Sequence, residues 1–483
     1  MQKAILQIKD EVNVRFEGLD VSTRRKISDK LKYFVPYAYH LPAYKLGRWD
    51  GFIRFCDIGG RTYLNLIDKI LPLIEQQGYE IDIQDNRKEY NFVFDKIDKD
   101  YLSDVLWPKS HTHEGQKIEL RDYQVQVIND FINNPQCLQE IATGAGKTII
   151  TASLSRLCEQ YGRTIIIVPN KSLVTQTEQD YINVGLDVGV YYGERKELGR
   201  QHTICTWQSL NILNKKTKKD EADFPIEEFL KDVVCVMVDE VHMAKADVLK
   251  QLLTGPFAGV PIRWGLTGTI PKEEYEQASL VASLGAVISR LSASELQEKG
   301  VLANCHVNVI QTQDLQTFRG YQEELAYLTT NTDRLKFLSN LVEEIRSGGN
   351  TLLLVDRIKS GEQLAELIPG STFIQGKTKM EDRQEEYDEV ATEQFKVLIA
   401  TYGVAAVGIN LPRIFNLVLM EPGKSFVRVI QSIGRGIRKA KDKDHVQIWD
   451  ITSACKFSKR HLTTRKKFYK EANYPYTINK VNL

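Results

Sequence analysis

Residues 142–148 read Ala142-Thr143-Gly144-Ala145-Gly146-Lys147-Thr148, and how this stretch is read decides the fold. A tight glycine-rich turn lets backbone N–H groups approach phosphate oxygens, and a helix N-terminus behind it adds its dipole. In that arrangement Thr143, Gly144, Ala145 and Gly146 form the cradle, Lys147 reaches the β- and γ-phosphates, and Thr148 holds Mg²⁺. The match is imperfect, since Ile141 stands where the first glycine is usual. Gly-Lys-Thr also occurs by chance, so the motif needs a partner.

That partner lies downstream. Val236-Met237-Val238 is an apolar run that ends in Asp239-Glu240-Val241-His242. A carboxylate at the C-terminal end of a buried strand sits in the crevice where α/β folds bind ligands. There Asp239 is placed to hold Mg²⁺, and Glu240 to orient or deprotonate an attacking water. An acidic pair after a strand is weak evidence alone. Following the glycine-rich loop in the correct order, it points to a nucleoside triphosphate site.

The surrounding texture supports this. From about residue 117, short Val- and Ile-rich runs alternate with helical patterns, as at 164–168, 203–206, 233–238 and 263–266. Strands of a parallel sheet covered on both faces have this character. After a helical stretch near 292–299 the pattern restarts, with runs at 306–311, 351–355, 397–400, 417–420 and 446–449. The fold class expected is α/β, two tandem doubly wound parallel-sheet domains of RecA-like type preceded by a small α+β domain. In that first part, 3–16 alternates like one strand, 22–33 suits a helix and 51–56 a further strand. The predicted boundaries are 1–98 for the α+β unit, 99–116 for a linker carrying Pro108, 117–295 and 296–455 for the two α/β domains, and 456–483 for a basic tail.

The motif order resembles that of superfamily 2 helicases and translocases. Asp239-Glu240-Val241-His242 is similar to their DExH box, and Leu120-Arg121-Asp122-Tyr123-Gln124 to their Q-motif. Segments 168–174 and 206–208 resemble the nucleic-acid-contacting motifs of the first domain, and Leu266-Thr267-Gly268-Thr269 resembles motif III. Segments 352–357, 399–410 and 431–438 resemble motifs IV, V and VI. The resemblance covers about residues 117–455. It implies catalytic roles for Lys147, Asp239, Glu240, Gln431, Arg435 and Arg438, the two arginines acting from the second domain on charge that builds on the γ-phosphate. It implies ATP contacts from Arg121, Gln124, Gly408 and Asn410 beside the glycine-rich loop. Nucleic-acid contacts fall on Asn170, Lys171, Thr206 and Trp207, and on Arg357, Gln375, Lys377, Thr401 and Tyr402. Gly47-Arg48-Trp49-Asp50-Gly51-Phe52-Ile53-Arg54 is similar to a segment of phage UvsW-type helicases, as is the ending Lys480-Val481-Asn482-Leu483. That resemblance implies remodelling of branched DNA (branch migration, fork regression, R-loop unwinding) with Arg48, Trp49 and Arg54 as further contacts. Trp49 is equally suited to being a core aromatic of the small domain.

Bulk properties narrow the alternatives. A chain of 483 residues with 42% hydrophobic and 26% charged residues is ordinary for a globular protein and long enough for about three domains of ~150 residues. No run approaches the ~20 apolar residues of a membrane helix, and residues 1–20 lack a signal-peptide core. A cytoplasmic protein is expected, in the host cell if phage-encoded, working as a monomer with ATP and Mg²⁺ on branched or duplex DNA, with an RNA–DNA hybrid as a further substrate. The net charge of +1 leaves nucleic-acid binding to local patches: 24–32, 215–219 and 456–470. The seven cysteines are far apart and suit neither disulfides nor zinc. Ser110-His111-Thr112-His113 has no partnering ligand cluster nearby. Two other motors share these motifs: the translocase of a restriction enzyme and an RNA helicase. The first needs a nuclease site, and no Asp/Glu-x-Lys occurs in residues 1–115. A non-catalytic binding module with a relic ATP site is opposed by the intact Lys147, Asp239, Glu240, Arg435 and Arg438.

Overall fold

The computed structural model describes residues 2–108, 114–243, 246–314, 316–405, 411, 413–425, 429, 432–434, 436–440 and 442–483. The chain divides into two compact units, Met1–Ile141 with Gly146–Arg290, and Ala142–Ala145 with Leu291–Leu483.

The first unit is built on an eight-stranded sheet. Its spatial order is Arg195–Lys196, Val188–Tyr192, His202–Thr206, Arg163–Val168, Val233–Asp239, Ile262–Thr267, Gln136–Ile141 and Val287–Leu291. From Val188–Tyr192 to Gln136–Ile141 every pairing is parallel. The central strands are buried on both faces; Val236, Met237 and Val238 are almost wholly covered. Each fully buried Val or Met contributes roughly 1.5–3 kcal/mol of transfer free energy, which is why these strands read as unbroken apolar runs. Their carboxyl ends form one rim, where Val168, Thr206, Asp239 and Thr267 give way to helices or turns.

A four-stranded sheet lies in the same unit, ordered Arg61–Tyr63, Asn13–Glu17, Gln2–Ile8, Tyr79–Asp85. The single strand expected over 3–16 is therefore a hairpin. The charged Lys9-Asp10-Glu11 breaks the run, and the Asp10 carboxylate accepts the Val12 and Asn13 N–H groups at 2.9 and 2.6 Å, closing the turn. The helix is Val21–Lys30, capped by Asp20, whose side chain accepts from Thr23 N–H. It stops before Tyr33 because Lys32–Phe34 pairs antiparallel with Phe52–Arg54. The core of this part does not close on itself. It runs through Phe16, Ile27, Phe55 and Ile70 into Tyr275, Ala278 and Ala282 on the helix Glu274–Leu284 that packs on the larger sheet. Glu11 N–H donates to Ala258 O at 3.1 Å, and Gln136 Nε2 to Glu11 O at 2.7 Å.

The segment expected as a linker, 99–116, is packed as well: Leu102 is fully buried, Trp107 N–H donates to Gln116 O at 2.9 Å, and Val105 O accepts the Ile118 N–H at 2.9 Å. Just before it, Phe92 and Phe94 meet the Tyr161 ring edge-on at 5.1 and 5.3 Å, and the Asn129 side chain bonds both backbone groups of Ile97. Local sequence does not reveal these contacts, because partners such as Tyr161 and Asn129 lie elsewhere in the chain. Ser110 and both histidines beside it lie outside the described residues.

The second unit is a seven-stranded sheet, all six pairings parallel, ordered Ser371–Ile374, Val397–Thr401, Thr351–Val355, Asn416–Met420, His445–Ser453, Asn304–Thr312, Tyr476–Val481. The expected basic tail is thus part of the fold. Lys456–Glu471 is a helix that buries Ser458, Leu462, Arg465, Phe468 and Tyr469, one face at helical spacing. Arg465 is wholly buried and bonds both Asp450 oxygens at 2.9 Å, with Tyr469 donating to the same carboxylate at 2.7 Å. One of the seven basic residues therefore points inward, and the strand Tyr476–Val481 completes the sheet edge.

Candidate nucleotide site and nucleic-acid rim

The loop after Gln136–Ile141 leads into the helix Lys147–Cys158, and both glycines of the turn need their freedom: φ is +91° at Gly144 and +82° at Gly146. Gly146 is the N-cap and makes no side-chain cap, so the first helical amides carry no capping side chain. A Cβ on Gly146 would lie 2.6 Å from Gln124 Nε2, so the Q-motif glutamine packs against the turn. Gln124 is held there by its own oxygen, which accepts the Arg121 N–H at 3.0 Å, while the Arg121 guanidinium donates to the Tyr123 hydroxyl at 2.9 Å.

Across the rim, Asp239 ends its strand and Glu240 turns with φ +50°, a left-handed conformation that is uncommon outside glycine and concentrates at functional positions. The turn brings the Glu240 carboxylate onto Lys147 Nζ at 2.6 Å, with both side chains about nine-tenths buried. Glu240 Oε2 also accepts the Gly268 N–H at 3.3 Å. His242 then links the acidic turn to the next strand end, its Nδ1 lying 2.5 Å from Thr267 Oγ1. Thr267 Oγ1 donates to Thr269 O at 2.9 Å, so its proton is used and His242 Nδ1–H is the donor between them. No spacing in the sequence reveals this contact between residues so far apart. The DExH histidine carried no role there, although its presence in the motif was the available signal.

Asp239 is half-buried beside the buried Glu240, and desolvation pushes its carboxyl up to about 6, a shift enhanced by the Glu240 charge and opposed by Lys147. Two carboxylates facing one ammonium form a net-negative pocket, a donor set that suits a hard divalent cation. Thr148, second residue of the helix and half-buried, adds a hydroxyl. The residues therefore fit a nucleoside triphosphate with its cation: loop and helix amides with Lys147 for phosphate oxygens, Asp239 and Thr148 for the metal. Bound Mg·ATP supplies the cleavable phosphoanhydride. Of the chain's own groups, Glu240 can hold a water or its proton, and Lys147 offsets negative charge.

Further along the same rim, Asn170 caps the helix Lys171–Asn183 and Thr206 caps Trp207–Lys218, each through its side-chain oxygen. The two helices follow neighbouring parallel strands, so their N-termini open on one side, with Lys171 exposed. Trp207 instead packs against the core. In the second unit, Arg357 stands at the N-terminal boundary of the helix Ile358–Leu367 without a side-chain cap and donates to Gln322 Oε1 at 3.3 Å; Lys377 is exposed on the loop beyond Gln375, and Thr401 ends its strand. Tyr402 departs from the expectation of a surface contact, because its ring is buried and its hydroxyl donates to Met420 O at 3.3 Å. Gly408, Asn410, Gln431 and Arg435 lie outside the described residues. Arg438 bridges to Leu302, and its carbonyl accepts from the buried Lys443 at 2.9 Å. In the small domain Arg48 is exposed, but Arg54 pairs with Asp50 at 2.7 Å, and Trp49 packs on the core with Nε1 donating to Phe52 O at 2.9 Å. Two of the three sequence candidates there, Trp49 and Arg54, are thus engaged within the fold.

Tandem parallel sheets with this phosphate turn and acidic pair fit an ATP-driven motor, and the two families matched make the chain an ATP-dependent helicase. Residues 117–272 match the family described as type III restriction enzyme, res subunit, and residues 333–440 the helicase conserved C-terminal domain. Among curated proteins the chain is similar to the ATP-dependent DNA helicase uvsW of Enterobacteria phage T4, 25% identical over 458 residues, covering 90% of this chain and 87% of that protein. It is also similar to the DNA 3'-5' helicase XPB of Kineococcus radiotolerans, 24% identical over 380 residues, 74% of this chain and 64% of that protein. Among solved structures, a fragment of an HsdR subunit of a type I restriction enzyme from Vibrio vulnificus shares the fold, with TM-score 0.57 and 16% identity over 97% of this chain and 85% of that one. Among the described residues no helix is long and apolar enough to cross a membrane.

Proposed function

We propose that the protein is an ATP- and Mg²⁺-driven DNA motor that remodels branched DNA, by branch migration, fork regression or removal of RNA from R-loops, acting as a monomer. The observation that carries this reading is the extent of the similarity to the phage T4 DNA helicase: it spans 90% of the chain, more than the two motor domains alone occupy. Physical economy agrees. Branch migration exchanges one base pair for another at small net cost, whereas opening plain duplex loses ~1.4 kcal/mol of stacking per step without replacement. The deciding measurement is ATP hydrolysis stimulated by single-stranded, duplex, forked and four-way DNA and by RNA. Forked and four-way DNA should stimulate most; stimulation by RNA alone, or equally by plain duplex, would overturn the proposal.

A second reading, the motor of a restriction-type translocase, is favoured by the description of the family matched over 117–272. It predicts metal-dependent DNA cleavage by the protein or by a complex containing it, which a nicking assay detects directly.

A further inference from the structure

The first unit holds a cavity of about 410 Å³ beside the two capped helix N-termini, a size within the ~300–1,000 Å³ of pockets that enclose a compact ligand. Its floor and wall are Tyr191, Tyr192, Phe224 and Leu213, with Ile212, 57% exposed, at the rim. Tyr191 is fixed by edge-on and tilted packing against Phe224 and Phe229, at 6.2 and 5.0 Å between centroids. This wall is therefore preformed. Three lysines, Lys171, Lys196 and Lys216, stand around the opening against a single acid, Asp223, and all three are exposed.

One polar group in the lining is unexplained by the fold. Asn170 Oδ1 accepts the Leu173 N–H at 3.0 Å as the helix cap, which fixes the orientation of the amide. Its Nδ2 is then left buried with no hydrogen-bond partner. A buried amide donor without an acceptor keeps its desolvation penalty uncompensated, so it marks a place where an acceptor is expected. Aromatic walls, a cationic rim and an unsatisfied donor beside helix N-termini are the complement of one nucleotide: a flat ring, an anionic phosphate and acceptor oxygens.

We propose that this cavity receives a single unpaired base from the DNA strand the motor grips, the base lying on Tyr192 and Phe224 and its phosphate on Asn170 Nδ2 and the rim lysines. The proposal rests on the reading that DNA runs along these helix N-termini and adds to it a seat for one extruded base. At a branch point a base leaves one partner before it joins the next, and such a seat holds it in between. Aromatic stacking is tolerant of base identity, so the seat carries no sequence preference.

The test uses the full-length protein and a set of forked DNAs in which one abasic site is moved along the bound strand, with affinity read by fluorescence anisotropy. One position should lose about tenfold in affinity when its base is removed, and neighbouring positions much less. Ile212→Trp, which fills the rim, and Tyr192→Ala should each abolish this dependence on position; their thermal melting serves as the control for folding. A flat profile in the unaltered protein overturns the base seat while leaving the DNA motor intact. The same holds if both variants melt as the parent does and keep its peaked profile. Absence of any DNA binding overturns both.

Discussion

At the scale of single residues, the contact between Lys147 and Glu240 has the most direct consequence for chemistry. The ammonium proposed for phosphate oxygens is 2.6 Å from the carboxylate proposed for water, so phosphate binding and that ion pair would draw on the same group. Glu240→Gln should therefore abolish DNA-stimulated hydrolysis while binding ATP as tightly as the parent or more so, whereas Lys147→Ala should lose both. Equilibrium binding of a fluorescent ATP analogue to the two variants checks this, and weaker binding by Glu240→Gln would contradict the competition. Asp239 carries a second cost. Its carboxyl is pushed up to about 6 from an ordinary 3.8 by burial, so between those values the folded state holds a proton that the unfolded state releases. Stability is then lost as pH rises through that window. Asp239→Asn should stabilise the metal-free protein at neutral pH, on the order of 1–3 kcal/mol, the gain vanishing below about pH 4, and should abolish hydrolysis. Melting temperatures with chelator at pH 4 and pH 7 decide it; a variant less stable than the parent at pH 7 would refute the assignment.

Among elements, the helix Lys456–Glu471 shows best why part of the molecule was legible in sequence and part was not. The parallel strands were readable because burial on both faces forces unbroken apolar runs; 351–355 coincides with the observed strand, and 417–420 differs by one residue. The phosphate turn and the acidic pair were readable because their chemistry demands fixed local spacing. A helix dense in lysine and arginine reads as a solvated basic tail, since nothing local says that Arg465 finds its carboxylate on the strand His445–Ser453. For the same reason His242 with Thr267, Trp49 with its core and Tyr402 with Met420 could not be assigned, as each depends on a partner set by the fold. Arg465→Met should leave Asp450 buried without its counter-charge and lower stability by about 3–5 kcal/mol, while Lys467→Gln on the exposed face should be nearly neutral. Urea denaturation of the two variants separates them, and equal midpoints would show that the buried pair does not hold the helix.

Over the whole molecule, the small N-terminal part is the piece whose role its sequence most invites one to isolate, and its packing argues against doing so. Its core continues through Tyr275, Ala278 and Ala282 on the helix Glu274–Leu284, so removing residues 1–98 uncovers apolar surface of the motor itself, and exposed apolar patches of that kind drive aggregation. The truncated chain should therefore melt well below the parent or precipitate, and a loss of branch preference in it would say nothing about DNA contact. Exposed residues give the cleaner question. Lys45 and Arg48 are on the surface, whereas Arg54 is paired to Asp50. If this part holds duplex arms through phosphates, Lys45→Glu with Arg48→Glu should weaken four-way-junction binding more than single-strand binding. The slope of log affinity against log salt should become shallower by about 0.9 for each phosphate no longer neutralised. Arg54→Gln should change neither, because its guanidinium is already engaged. Junction and single-strand affinities at two salt concentrations, with melting unchanged in both variants, test this; a double variant with the parent's junction preference and salt slope would assign the N-terminal part to holding the motor together instead of gripping DNA.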